Sequence, residues 1–330
     1  MKKIILLLLI VSNSIYSQIK TNEFDAALKL LQGDDQEKAI NNLESLEKKF
    51  PNDVQVIFLR GFYQFRDGNQ NGAMMSFSNA IKTNPKYAMA YGGRASLFAS
   101  KGLLDKAIVD ISEAIKLEPK NISFLNSRSS YYYDNHQYKE GLEDMKTKIK
   151  LMPNDIMGYF DAAVFAKSMD NNYNSDDFFN QAYATKGIPK YVTDALFGKF
   201  LIKYGRFDEA KTKFEEALAL GEKDFDADDF NNASIAYNKT KNYDKAIICA
   251  YKAIAKQPDN IDLYFNLASS YIGLNDWQKV KDTAQLALNI NSEHPMANMF
   301  MAAGLMNTGN ENKALEYEAK AKRLDAEQNK

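Results

Sequence analysis

The sequence predicts an all-α fold, an α-solenoid of about nine helix-turn-helix repeats. Three observations carry this reading. Pro51, Pro85, Pro119 and Pro153 stand 34 residues apart. A row of mostly small residues keeps the same beat: Ala39, Ala73, Ala107, Gly141, Ser175, Ala210, Ala246, Val280 and Ala314, in steps of 34 to 36. Seven residues beyond each lies a third row, Leu46, Ala80, Ala114, Lys148, Ala182, Ala217, Ala253, Ala287 and Ala321.

Within each period, two amphipathic stretches flank a short polar turn such as Gly68–Asn71, Lys101–Gly102 or Gly309–Asn310. In the stretch 105–115, Ala107, Ile108, Ile111, Ala114 and Ile115 fall on one helical face. Small residues seven apart lie two turns apart on one side. They let a second helix approach where a larger side chain would overpack. The turn glycines supply the left-handed conformation that ends a helix. The prolines follow the second helix, where no helical hydrogen bond is lost. The units run 20–53, 54–87, 88–121, 122–155, 156–190, 191–226, 227–260, 261–294 and 295–328. The helix over 312–326 is charged on most of its surface and reads as a solvent-facing cap.

These residues resemble the tetratricopeptide repeat. The best matches are Gly61, Ala73, Phe77, Ala80 and Pro85 in one unit, and Tyr264, Leu267, Tyr271 and Ala287 in another. Asn126-Ser127-Arg128 with Tyr132 is similar to the family's Asn-Arg-Gly variant. The resemblance covers nearly all of 18–330 and implies a right-handed superhelix whose units contact mainly their neighbours. The units at 122–155 and 156–190 depart most. Gly141, Met145 and Lys148 replace the usual small or aromatic residues in the first; Ser175 and Gly187 stand for alanine and proline in the second.

Residues 1–17 have a different character. Met1-Lys2-Lys3 is a positive start, Ile4–Val11 an unbroken apolar run, and 12–17 a polar close ending on Ser17. That is the layout of a secretory signal peptide, bacterial in style, with cleavage expected after Ser17 and an uncleaved membrane anchor as the alternative. Eight apolar residues cannot span a membrane core, which needs about 20. No cysteine follows the run, so a lipid anchor at that place is excluded. The expectation is an exported protein, periplasmic or secreted, with no stable membrane insertion once the signal is removed. The rest, 18–330, is read as one repeat array.

Little in the chain suits catalysis. Lys plus Arg is 42 and Asp plus Glu is 43, so no basic excess invites nucleic acid. One cysteine, Cys249, and two histidines, His136 and His294, leave almost nothing for a disulfide framework, a zinc site or a histidine triad. Asp224, Asp226 and Asp228 alternate like the start of a calcium loop. However, Asp229 and Ile235 stand where its glycine and glutamate belong. They read as a charged entry to the next helix. Arg60, Arg94 and Arg128 recur at one register, as do Asp110 and Asp144. They read as structural ion pairs, with a groove-lining anion site as the alternative. No cofactor and no metal is expected.

The resemblance implies a concave face lined by the first helix of each unit, at its second, fifth, ninth and twelfth places. Those places hold Thr21, Phe24, Leu28 and Leu31 in the first unit and Gln55, Phe58, Phe62 and Phe65 in the second. Units three and four are small and polar there, while Phe265, Ile272, Met296, Met299 and Met306 line units eight and nine. An apolar lining suits a protein segment better than a polar metabolite. The expected function is a non-enzymatic exported scaffold that binds a protein or peptide, or alternatively an accessory subunit of an envelope secretion or cell-wall assembly machine. The candidate contact residues are Phe24, Phe58, Phe62 and Phe65. These four rings are either anchors for a partner or packing between adjacent first helices.

Overall fold

The computed structural model describes residues 19–169 and 174–328. The expected signal peptide at 1–17 and part of the polar turn, 170–173, lie outside the described residues. The described residues are helical throughout, with no strand. They fall into two compact units that divide after Phe178.

The N-terminal unit is a run of helical hairpins. Its helices are α1 (Thr21–Gln32), α2 (Gln36–Lys49), α3 (Val54–Arg66), α4 (Gln70–Thr83), α5 (Ala88–Ser100), α6 (Leu104–Leu117), α7 (Ile122–Asp134), α8 (Tyr138–Leu151) and α9 (Ile156–Ser168). Asp35, Asp53, Asn69, Asn121 and Asp155 cap α2, α3, α4, α7 and α9 through their side chains. Asp53 also accepts the backbone N–H of Ile19 at 3.1 Å, which ties the chain ahead of α1 to the second hairpin. Each helix packs on the next, and α1, α3 and α5 also pack one on another.

The rows of small residues close these hairpins. Ala73, Ala80, Ala107 and Ala114 are fully buried. Phe77 fills the room left by Gly93, where a Cβ would stand 2.6 Å from its ring. The departures at 122–155 are compensated from the following repeat. A Cβ on Gly141 would stand 2.2 Å from Phe165, so the missing side chain is replaced by that ring. Lys148, sitting where alanine is usual, is buried, with its Nζ 3.2 Å from Asp155 and 3.6 Å from Asp161.

Helix α10 (Asp176–Ala184) is short and carries the division between the units. The C-terminal unit continues with α11 (Lys190–Lys203), α12 (Phe207–Gly221), α13 (Ala227–Lys239), α14 (Tyr243–Lys256), α15 (Ile261–Gly273), α16 (Trp277–Ile290), α17 (Pro295–Asn307) and α18 (Glu311–Gln328). The acidic run before α13 is a helix entry. Asp226 and Asp229 form a reciprocal capping box, and Lys199 lies 2.9 Å from both Asp228 and Asp229. The first helices α11, α13, α15 and α17 pack each on the next. Helix α18 buries only Ala314, Ala321 and Leu324 and turns its charges outward, as a cap does. The helix pairs match the repeat boundaries read from the sequence, with α11 starting one residue early.

Candidate protein-interaction surface

The four phenylalanines do not form a water-facing stripe. Phe24, Phe58 and Phe62 are buried and Phe65 is half-buried against the same core. Phe58 is the hub: its ring centre lies 6.4 Å from Phe24 and Phe62 and 5.7 Å from Phe77 and Tyr87. In the structure these rings therefore turn to one another rather than to water. Helix α3 has packed neighbours on both sides, α1 and α5, and the rings that close on Phe58 come from Phe24 on α1, Phe77 on α4 and Tyr87 just ahead of α5. The rings pack on one another, with Phe77 of α4 and Tyr87 joining the cluster.

The arginines are also committed. Arg94 Nε and Nη2 donate to Asp110 at 2.6 and 2.9 Å, while its Nη1 reaches Ser78 Oγ at 3.3 Å. Arg128 repeats the arrangement with Asp144 at 2.9 and 2.6 Å and Ser112 at 3.1 Å. Hydrogen bonding to the carboxylates holds both guanidiniums above the ordinary arginine range. Arg60 turns back instead and pairs bidentately with Glu47. With both forks filled by buried carboxylates, the groove-lining anion site is not what these residues make.

A second polar cluster joins α10, α11 and α12. Asp194, fully buried, accepts from the Tyr183 hydroxyl and from Lys190 Nζ at 2.7 Å. Lys213 Nζ stands 3.5 Å from Asp194 and 3.2 Å from Glu216. Burial, then Asp194, pushes the Tyr183 phenol well above its usual range, while Lys190 and Lys213 hold Glu216 below the usual carboxylate range. These groups occupy one another. Cys249 is buried, and burial pushes its thiol up to about 11, far from a reactive thiolate. His136 sits exposed in its turn with Nδ1 2.7 Å from Tyr138 Oη. His294, at the N-cap of α17, is half-buried with its ring 4.9 Å from Phe265.

The exposed apolar side chains gather elsewhere. Helix α17 is apolar nearly all the way round. One face, with Ala297, Met301, Ala302 and Leu305, is buried. The face at the second, fifth and twelfth places carries Met296, Met299 and Met306, exposed by 50%, 41% and 41%. Ala303, half-buried, lies between the last two. A helix with no polar side has a face that its own fold does not satisfy. Beside it on α15, Phe265 stacks on Phe300 at 5.6 Å and is half-buried, as is Ile272. The donors further along are already engaged, while Asn238 Oδ1 and His294 Nδ1 are buried with no partner among the described residues. Asn266 donates to Asn231 at 2.6 Å, Asn238 to the Asn266 carbonyl at 3.1 Å, and Ser269 to the Phe265 carbonyl at 2.8 Å. Sequence reading placed Met296, Met299 and Met306 on the lining but ranked the phenylalanines above them. What separates the two sets is the rings that other elements bring, as Phe24, Phe77 and Tyr87 do around Phe58.

Two family profiles match the chain. One, described as the N-terminal TPR repeats region of Psidin, covers residues 183–320; the other, the tetratricopeptide repeat, covers 88–121. No curated protein matches the sequence. Among solved structures the chain is similar to yeast Tom70, with 16% identity and a TM-score of 0.58 over 96% of this chain and 67% of that one. It is also similar to a tetratricopeptide repeat protein from Parabacteroides merdae ATCC 43184, with 14% identity and a TM-score of 0.50 over 82% and 93%. At such identities the likeness speaks for the fold alone.

Proposed function

Because the chain belongs to the tetratricopeptide repeat family, we propose that it is an exported, non-enzymatic scaffold that holds a segment of another protein against the first helices of its C-terminal unit. The observation that carries this is the exposed methionine stripe of α17, flanked by the half-buried Phe265 and Ile272. Each methionine is already about half covered, so a partner that removes the rest from water gains roughly 0.6–1.5 kcal/mol per side chain. Methionine also adapts its shape to what it meets. Export rests on the layout of residues 1–17. No helix among the described residues is long and apolar enough to cross a membrane.

A second reading, an accessory subunit of an envelope machine, draws on the second helices. Met75 on α4 and Val109 on α6 share one register and are exposed by 68% and 62%. One experiment weighs both readings. A photo-reactive residue replaces Ala303 in one version of the full-length chain and Val109 in another, each expressed in cells of the source organism. A discrete adduct from position 303 in the envelope fraction, on protein whose N-terminus is Gln18, is the expected result. Adducts only from 109 favour the machine subunit. Absence of adducts from both positions, or recovery of uncleaved protein in the cytoplasm, overturns the scaffold.

A further inference from the structure

The spacing of the α17 stripe says more about its occupant. Met296, Met299, Ala303 and Met306 follow one another by three, four and three residues, the seam of a helix that packs against a second helix. Large side chains bracket a small one, so Ala303 is a hole between Met299 and Met306. The stripe runs about 15 Å, roughly three turns.

The chemistry of the stripe excludes an extended segment. Along the stripe, α17 offers thioethers and a methyl group, and its interior backbone N–H and C=O groups are spent inside the helix. The nearby Asn266, Asn238 and Ser269 donate to partners within the unit. A strand laid there would bury backbone donors and acceptors without partners, at a cost of about 1–3 kcal/mol each. A helix brings its own backbone already satisfied.

The charges fix one end. Asp259 and Asp262 stand at the entry to α15, and Glu293 at the entry to α17. All three are exposed and none forms an ion pair among the described residues. Asp262 lies one turn before Phe265, whose ring touches His294 and Phe300, so this rim, with three carboxylates and Lys320 held at the Ser292 carbonyl at 2.8 Å, borders the N-terminal end of the stripe.

We infer that the occupant is an amphipathic α-helix, with aliphatic side chains at heptad spacing and lysine or arginine at the end beside Asp259, Asp262 and Glu293. This rests on the scaffold reading for its site and adds the partner's conformation and charge.

The test titrates the mature chain, 18–330, with three labelled synthetic peptides, read by fluorescence anisotropy. The first has leucine at heptad a and d positions, glutamine elsewhere and lysines at one end. The second carries glutamates for the lysines, and the third a central proline that breaks the helix. Saturable binding of the first is expected, at least tenfold tighter than either other in low salt, with the lysine–glutamate difference shrinking as salt rises. The double variant Met299→Asp with Met306→Asp should weaken it tenfold or more with melting unchanged, and Met75→Asp should not. Equal binding of the proline peptide, equal binding of the glutamate peptide, indifference to the double variant, or no saturable binding of the first peptide overturns the inference. So does a dimer of the chain, seen by sedimentation, that the double variant abolishes, because the stripe would then be covered by a second copy. An adduct at position 303 together with any of these results leaves the scaffold standing and removes only the helical, basic partner.

Discussion

Helices α3 and α17 occupy the same place in their repeats, and both are largely apolar, yet they meet opposite fates. At the register of Gln55, Phe58, Phe62 and Phe65, the first three are buried, Gln55 included at 5%, and Phe65 is half-buried. At the register of Met296, Met299, Ala303 and Met306, the three methionines of α17 are exposed by 41% or more. The difference lies in the flanks. Helix α3 is packed between α1 and α5, and Phe24 and Tyr87 close on Phe58 from either side. Helix α17 packs on α15, and no further first helix follows it among the described residues. An apolar side chain at a lining position is therefore core or contact surface according to what its neighbours bring, and its own identity does not decide which.

The sharpest way to break this comparison is to truncate one residue from each helix. Phe58→Ala should cost about 3–5 kcal/mol, since the hub leaves a cavity among four rings. Met299→Ala should stay within about 0.5 kcal/mol. Urea unfolding of both variants measures the contrast, and equal losses would show that α17 is as much core as α3. Slightly smaller is the effect of Arg128→Met, which strands the buried Asp144 carboxylate at about 3 kcal/mol. Adding Asp144→Leu should recover most of that loss.

The charge cluster of the C-terminal unit gives a weaker, pH-dependent effect. Lys190 and Lys213 hold Glu216 below its unfolded pKa, so the stability it lends is present above that value and lost as pH falls through the folded one. Melting temperature should therefore drop as pH goes from 6 to below 4, and Glu216→Gln should flatten part of the drop. The smallest effect in energy, though plain by mass spectrometry, is oxidation. Dilute hydrogen peroxide, reduced to water, should convert the thioethers of Met75, Met296, Met299 and Met306 to sulfoxides before those of the buried Met145 and Met301.

Much of the fold was legible because its signals are local. Alanines seven apart, turn glycines and loop prolines mark helix pairs without reference to distant residues, and the helix boundaries follow them closely. Arg94 with Asp110 and Arg128 with Asp144 were legible because both partners repeat with the period. Arg60 was not, because Ser76 stands where the matching aspartate would be and the guanidinium turns back to Glu47. Phe165 replacing the missing side chain of Gly141, and Asp155 and Asp161 receiving Lys148, were equally hidden. Such compensation crosses repeats at spacings with no period. The site was half legible: the lining register could be read, and the side of each helix that neighbours would cover could not.

The paired arginines carry a mechanical consequence. Arg94 grips α4 through Ser78 and α6 through Asp110 while belonging to α5, and Arg128 does the same for α6, α7 and α8. The two braces share α6, so five consecutive helices are cross-linked in series. Under tension applied along this stretch, one hairpin cannot peel away without shearing a bidentate pair that also anchors the next. Residues 70–151 should therefore yield in a single event, which force spectroscopy on the stretched chain would register as one rupture.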